Sequence, residues 1–234
     1  MLACDLHVHL DGSLREDTFA ELARRAGVAP DTESARELAR RVRFRRGMGL
    51  ARCLTAFETT CSLLQTGEAL RRVARELVID SYLDGVRHLE IRLCPPLHTR
   101  GGLDPRAVLR AVRTGCEEGV DRVGGISPGD GISYRLVPAI LEGMGDEEAG
   151  RIVDLALEAR EAGVSGLDIA GDESLFDARR YRAAVERARG GGLGITVHAG
   201  ETGCPAHVRD ALTVLGADRI GHGVAAADDP ATVE

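Results

Sequence analysis

A short apolar stretch followed by an amphipathic helix that ends in glycine recurs along this chain, and this pattern constrains its fold most. In residues 67–85, Leu70, Val73, Ala74, Leu77 and Val78 fall on one helical face, and Gly85 stands where a helix stop belongs. Val86 to Leu93 then alternates with period two, which predicts a strand. Asp104-Pro105 opens the next helix as cap and first-turn proline, with its stop expected near Gly119. Further strands are predicted at 132–140, 164–170, 193–198 and 219–222, and one near the start at 3–10. Helices are expected from Asp146 to Gly163, over 178–189 and over 205–215. Such alternation places parallel strands between crossover helices. The expected class is therefore α/β, with about six βα units and a mostly helical insertion at 13–66 between strands one and two.

Composition narrows the function. The 234 residues carry 30 basic and 37 acidic side chains, a net charge of −7. That balance argues against nucleic acid or an anionic membrane as the main partner. Every basic residue is Arg, since the sequence contains no Lys. A lysine Schiff base, a pyridoxal-phosphate anchor and a Walker A lysine are thereby excluded. The six cysteines are scattered without a Cys-x-x-Cys pair, and read as small buried hydrophobes in a reduced protein. With no signal peptide before Cys4 and no run of 18 apolar residues, a soluble cytoplasmic protein is expected.

Polar residues collect at the ends of the predicted strands. Strand one ends in His7-Val8-His9-Leu10-Asp11, where positions i and i+2 share a face. Asp168-Ile169-Ala170-Gly171-Asp172-Glu173, His198-Ala199-Gly200-Glu201 and Gly221-His222-Gly223 close three later strands. The C-terminal rim of parallel α/β folds is where active sites lie. Four of the seven histidines sit at such ends, a pattern that suits zinc, and three nitrogens with an open position describe a catalytic site. Glu201, three residues past His198, is placed for proton transfer. Gly125-Ile126-Ser127-Pro128-Gly129 matches G-x-S-x-G, but a helix precedes it and a strand follows, the reverse of a nucleophile elbow. Glu90 and Arg92 share a face of strand two and read as a buried ion pair.

HVHLDGS at 7–13, EIRLCP at 90–95, LDIAGDE at 167–173, HAGETG at 198–203 and IGHG at 220–223 resemble the adenosine deaminase family in order and spacing. The resemblance implies a (β/α)8 TIM-type barrel over residues 1–234 as one domain, and hydrolytic deamination of a 6-aminopurine nucleoside. It implies one Zn2+, bound by His7, His9 and His198. Glu201 would carry a proton to N1 of the purine, and His222 would orient the attacking hydroxide. Asp11 would bond the sugar hydroxyl, and the Gly171 N–H would contact the purine. In the insertion, Leu54 and Phe57, with Leu50, would form an apolar lid, although ordinary core explains their shared face equally well. Asp11 in H-x-H-x-D favours adenosine; adenine or aminodeoxyfutalosine is the enzymatic alternative, and a non-catalytic zinc-binding remnant the other. The family's strands seven and eight, and the aspartate that completes its zinc site, have no counterpart before Glu234. Little activity is therefore expected of the 234-residue chain alone. Asp228-Asp229-Pro230 reads as a helix N-terminus, not as a substitute ligand.

Overall fold

The computed structural model describes residues 3–124 and 131–233. The G-x-S-x-G segment at 125–129 lies outside the described residues. The chain divides into two compact units, Met1–Arg135 and Leu136–Glu234.

In the first unit, β1 (Ala3–His9) pairs in parallel with β2 (Val86–Leu93), with Cys4 opposite His88 and His9 opposite Arg92. Four helices occupy the predicted insertion and the crossover: α1 (Glu16–Arg25), α2 (Thr32–Val42), α3 (Leu50–Leu63) and α4 (Gly67–Leu83). α5 (Pro105–Arg122) follows β2. Caps fix three of the helix starts. Asp31 accepts the Ser34 N–H at 2.8 Å, Thr66 that of Ala69 at 3.2 Å, and Asp104 that of Ala107 at 2.9 Å. The apolar face of α4 (Leu70, Val73, Ala74, Val78) and that of α5 (Val108, Val112, Cys116) are buried as the periodicity predicts.

Gly119 does not stop α5, which runs three residues further. A Cβ there would stand 2.7 Å from the Cβ of Val78, and one on Gly115 only 2.1 Å from the Arg71 carbonyl oxygen. These glycines are contact points that let α4 and α5 approach closely, which local sequence cannot distinguish from a stop. Glu90 and Arg92 are buried; an Arg92 Nη2 donates to the Leu6 carbonyl at 3.0 Å, and Glu90 lies 3.9 Å from His88 Nε2. Of the cysteines, Cys61, Cys94 and Cys116 are buried, Cys53 and Cys204 partly so, and Cys4 is exposed.

β3 (Ser133–Leu141) begins in the first unit and continues into the second. There it leads a parallel series through β4 (Gly166–Ala170), β5 (Gly194–Ala199) and β6 (Arg219–His222). The helices between them are α6 (Asp146–Glu158), α7 (Ala178–Gly190) and α8 (Pro205–Thr213), with short α9 (Pro230–Val233) last. Every residue of β4 is buried, as expected of a parallel strand covered on both faces. α6 ends one turn before Gly163, whose φ of 101° makes the reversal into β4. Among the described residues, no helix is long and apolar enough to cross a membrane.

Candidate active site

In the first unit, the His-x-His pair behaves as strand alternation predicts. His9 Nε2 and His7 Nε2 lie 3.3 Å apart, with ring centroids at 5.3 Å. β1 stops at His9, and Asp11 belongs to a 3-10 turn over Leu10–Gly12. Alternation therefore does not govern its direction. Asp11 is buried, and its Oδ2 accepts the Cys61 thiol at 3.1 Å. Burial, reinforced by Asp11, pushes the Cys61 thiol far up, so it remains the donor. His98 is also fully buried; its Nδ1 lies 3.1 Å from the Leu64 carbonyl, and burial lowers its pKa. Asp11 Oδ1 and His98 Nε2 are buried without hydrogen-bond partners among the described residues. From α3, the Phe57 ring packs 5.5 Å from that of His9, while Leu54 is half-buried on the same helix.

The second unit carries the strand-end motifs of β4, β5 and β6. Asp168 lies opposite Thr196 in the parallel register, and Thr196 shares a strand face with His198. His198 Nδ1 consequently stands 3.1 Å from Asp168 Oδ2 and 3.2 Å from Oδ1, with both residues buried. This carboxylate fixes the imidazole by one nitrogen, the usual outer support of a metal-binding histidine. An imidazole braced by an acid in this way has the chemistry of a zinc ligand.

Glu201 follows Gly200 in the loop after β5, with its Oε2 3.4 Å from His222 Nε2. Burial raises the Glu201 pKa; Glu173 and Asp168 reinforce the shift and His198 opposes it. His222 has φ 63°, the one positive value at a non-glycine position among the described residues. Strained backbone of this kind costs on the order of 1–3 kcal/mol and gathers at functional positions. Gly171, at φ 113°, follows β4 directly.

Glu173 is a residue whose role the sequence did not reveal. Almost fully buried, it accepts the backbone N–H of Gly200, the N–H and hydroxyl of Thr202 at 2.6 Å each, and lies 3.0 Å from His207 Nδ1. Burial pushes its pKa up, but these bonds outweigh it and hold the carboxyl below its ordinary value. The carboxylate therefore grips the backbone on both sides of Glu201. Asp168 and Glu173 both stand in LDIAGDE, so the motif marked them as polar strand-end residues, but only the register shows which loop each one holds. Asp229, at the end of the chain, bonds the Thr232 hydroxyl at 2.7 Å and pairs with Arg209, in keeping with a helix start.

The adenosine deaminase family model matches residues 3–234. Among curated proteins, the chain is similar to adenosine deaminase from Mycobacterium sp. (strain KMS), 40% identical over 228 residues that make up 96% of this chain and 61% of the relative. The chain thus spans less than two thirds of that relative's length. Among solved structures it is similar to adenine deaminase from Arthrobacter aurescens, with a TM-score of 0.83 and 27% identity, covering 98% of this chain and 67% of that one. It is also similar to a zinc-bound amidohydrolase from Burkhoderia ambifaria, with a TM-score of 0.84 and 30% identity, covering 99% of this chain and 61% of that one. These likenesses run over nearly all of the chain and give its fold class as a (β/α)8-type α/β barrel represented by six βα units. The family match takes in every strand-end motif described above, and the chain belongs to the adenosine deaminase family.

Proposed function

We propose that this chain carries the zinc-binding and proton-transfer part of a hydrolytic purine deaminase, with adenosine as the substrate. His7, His9 and His198 hold the zinc, and Asp168 orients His198. When bound, zinc supplies an activated water at neutral pH. Glu201 delivers a proton to N1 of the purine, which makes C6 electrophilic, and His222 orients the attacking oxygen. The Gly171 N–H meets the purine, Asp11 bonds the sugar hydroxyl, and Phe57 and Leu54 wall the pocket with apolar surface.

The observation that carries this reading is the Glu201–His222 pair. A half-buried carboxyl with a raised pKa lies 3.4 Å from an imidazole held in a strained backbone conformation. A raised carboxyl pKa suits a group that must both take and give a proton near neutral pH. Adenine is the second reading, favoured by the name of the Arthrobacter aurescens neighbour.

The test is ammonia release from adenosine and from adenine by the protein in its natural length. Glu201→Gln is expected to cut kcat by about 10²–10⁴ while the variant keeps its fold. An unchanged rate removes Glu201 from proton transfer, and a preference for adenine replaces the nucleoside reading.

A further inference from the structure

Helix α3 meets the end of β1 at two places one turn apart. The Phe57 ring packs 5.5 Å from that of His9, and the Cys61 thiol donates to Asp11 Oδ2 at 3.1 Å. Positions i and i+4 share a helix face, so one face of α3 touches both His9 and Asp11. The approach is close: a Cβ on Gly12 would stand 3.2 Å from the Phe57 ring.

The thiol holds a carboxyl group with few other partners. Among the described residues, Cys61 is the donor to buried Asp11, whose Oδ1 has no hydrogen-bond partner. His98 lies close by, with ligand-capable atoms of Asp11, Cys61 and His98 all within 4.8 Å of one another. It does not serve as a second donor. A carbonyl only accepts, so the contact with Leu64 puts the His98 proton on Nδ1, and burial keeps the ring neutral. Nε2 is then itself an acceptor. The frame around Asp11 is pinned by Gln65. Its amide nitrogen donates to the Cys61 carbonyl at 2.6 Å and to that of Leu97 at 2.9 Å, and its Oε1 accepts the Arg100 N–H at 2.9 Å. The end of α3 is thereby tied to the segment that carries His98.

We propose that Cys61 is a positioning residue for substrate selection, whose thiol sets the Asp11 carboxyl group in the orientation that bonds the sugar hydroxyl. This inference rests on the deaminase reading and gives α3 a part in choosing nucleoside over free base. A buried cysteine ordinarily acts as a small apolar filler, a part that alanine also plays. Here the S–H makes a polar bond to a group of the site. A carboxyl oxygen has lone pairs for two donors, so the thiol and a sugar hydroxyl can both be served. Without the thiol the carboxyl group is free to turn about its last torsion, and the sugar contact weakens.

The experiment is steady-state deamination of adenosine and of its 2′-, 3′- and 5′-deoxy analogues by the natural-length protein and by Asp11→Ala, Cys61→Ala and Cys61→Ser. The quantity read is the ratio of kcat/KM for adenosine to that for each analogue, in which a general loss of fold or of catalysis cancels. Asp11→Ala is expected to bring one of these ratios close to unity, which identifies the hydroxyl it bonds. Cys61→Ala should lower that same ratio about three- to tenfold, the range of a lost hydrogen bond, and leave the others in place. Cys61→Ser keeps an O–H donor and should retain about half or more of the original ratio. An unchanged ratio in Cys61→Ala, all ratios lowered alike, or serine as damaging as alanine overturns the proposal. If Asp11→Ala moves no ratio, the sugar contact of Asp11 fails and Cys61 with it. If the unaltered protein deaminates neither adenosine nor adenine, the functional reading itself fails; an active protein with an unaffected alanine variant overturns the role of Cys61 alone.

Discussion

Glu173 accepts both the backbone N–H and the hydroxyl of Thr202, each at 2.6 Å, and so fixes the residue that follows Glu201. Its other oxygen takes the N–H of Gly200, the residue before. Only an acceptor at both oxygens satisfies this arrangement. In Glu173→Gln one end becomes an NH2 that faces a backbone N–H, whichever way the amide is turned. The expected cost is about 1–3 kcal/mol, and because Glu201 shifts with the loop, kcat should fall by up to about 10². Thermal unfolding and ammonia release check the two effects; wild-type values for both would show that the clamp is dispensable.

The same carboxylate sets a pH dependence. Its folded pKa is depressed, so in the unfolded chain it binds a proton at higher pH than in the fold. Its contribution to stability is complete above the unfolded value, about 4.3, and disappears as pH falls through the folded one. The stability difference between wild type and Glu173→Gln is therefore expected to shrink as pH is lowered from about 6 towards 3. Denaturant titrations across that range measure it, and a difference that grows on acidification contradicts the assignment.

Glu142, buried directly after β3, has the opposite sign. Burial, reinforced by Glu173, Glu201, Asp172 and Asp168, pushes its folded pKa up to about 9, above the unfolded value, so between those limits the unfolded chain ionises while the folded one keeps the proton. Stability falls with rising pH across that window. Glu142→Gln removes the slope and should melt higher than wild type at about pH 8, by a few degrees for each kcal/mol recovered. Calorimetry on the metal-free protein checks this, and a lower Tm for the variant at that pH would refute it.

The α4–α5 contact gives a prediction about the fold alone. Gly115→Ala puts a methyl group 2.1 Å from the Arg71 carbonyl oxygen, a main-chain atom that cannot swing away. Overpacking of this kind costs about 1–3 kcal/mol. The equivalent change at Gly150, where a Cβ meets nothing within 4 Å, should be harmless or mildly stabilising. Equal melting temperatures for the two variants would show that the helices have room to part.

Much of this arrangement was legible in the sequence, because period-two and period-3.6 patterns are local. The alternation in 86–93 and the apolar face of 67–83 predict β2 and α4 closely. His7 and His9 meet because a strand puts alternate side chains on one face. What stayed hidden depends on register and tertiary approach. Asp168 supports His198 only because β4 lies against β5 with Asp168 opposite Thr196. Gly119 looks like a stop until Val78 is seen against it. Glu142 carried no motif at all, and its unpaired oxygens are a property of the packed fold.

Asp168 offers a metal readout. Removing an acid that orients a metal-binding histidine typically costs about 10–100-fold in metal affinity. Asp168→Asn is expected to weaken zinc binding by that amount in a competition titration with a chelator. Unaltered affinity would mean that His198 does not need its buried partner for binding.

The central claim is that His7, His9 and His198 together hold one zinc ion, and equilibrium dialysis with elemental analysis tests it most directly. The natural-length protein is expected to retain about one zinc per chain, as a single catalytic site requires. His7→Ala and His198→Ala should each retain well under half of that while remaining folded. Full zinc retention by either variant would contradict the account.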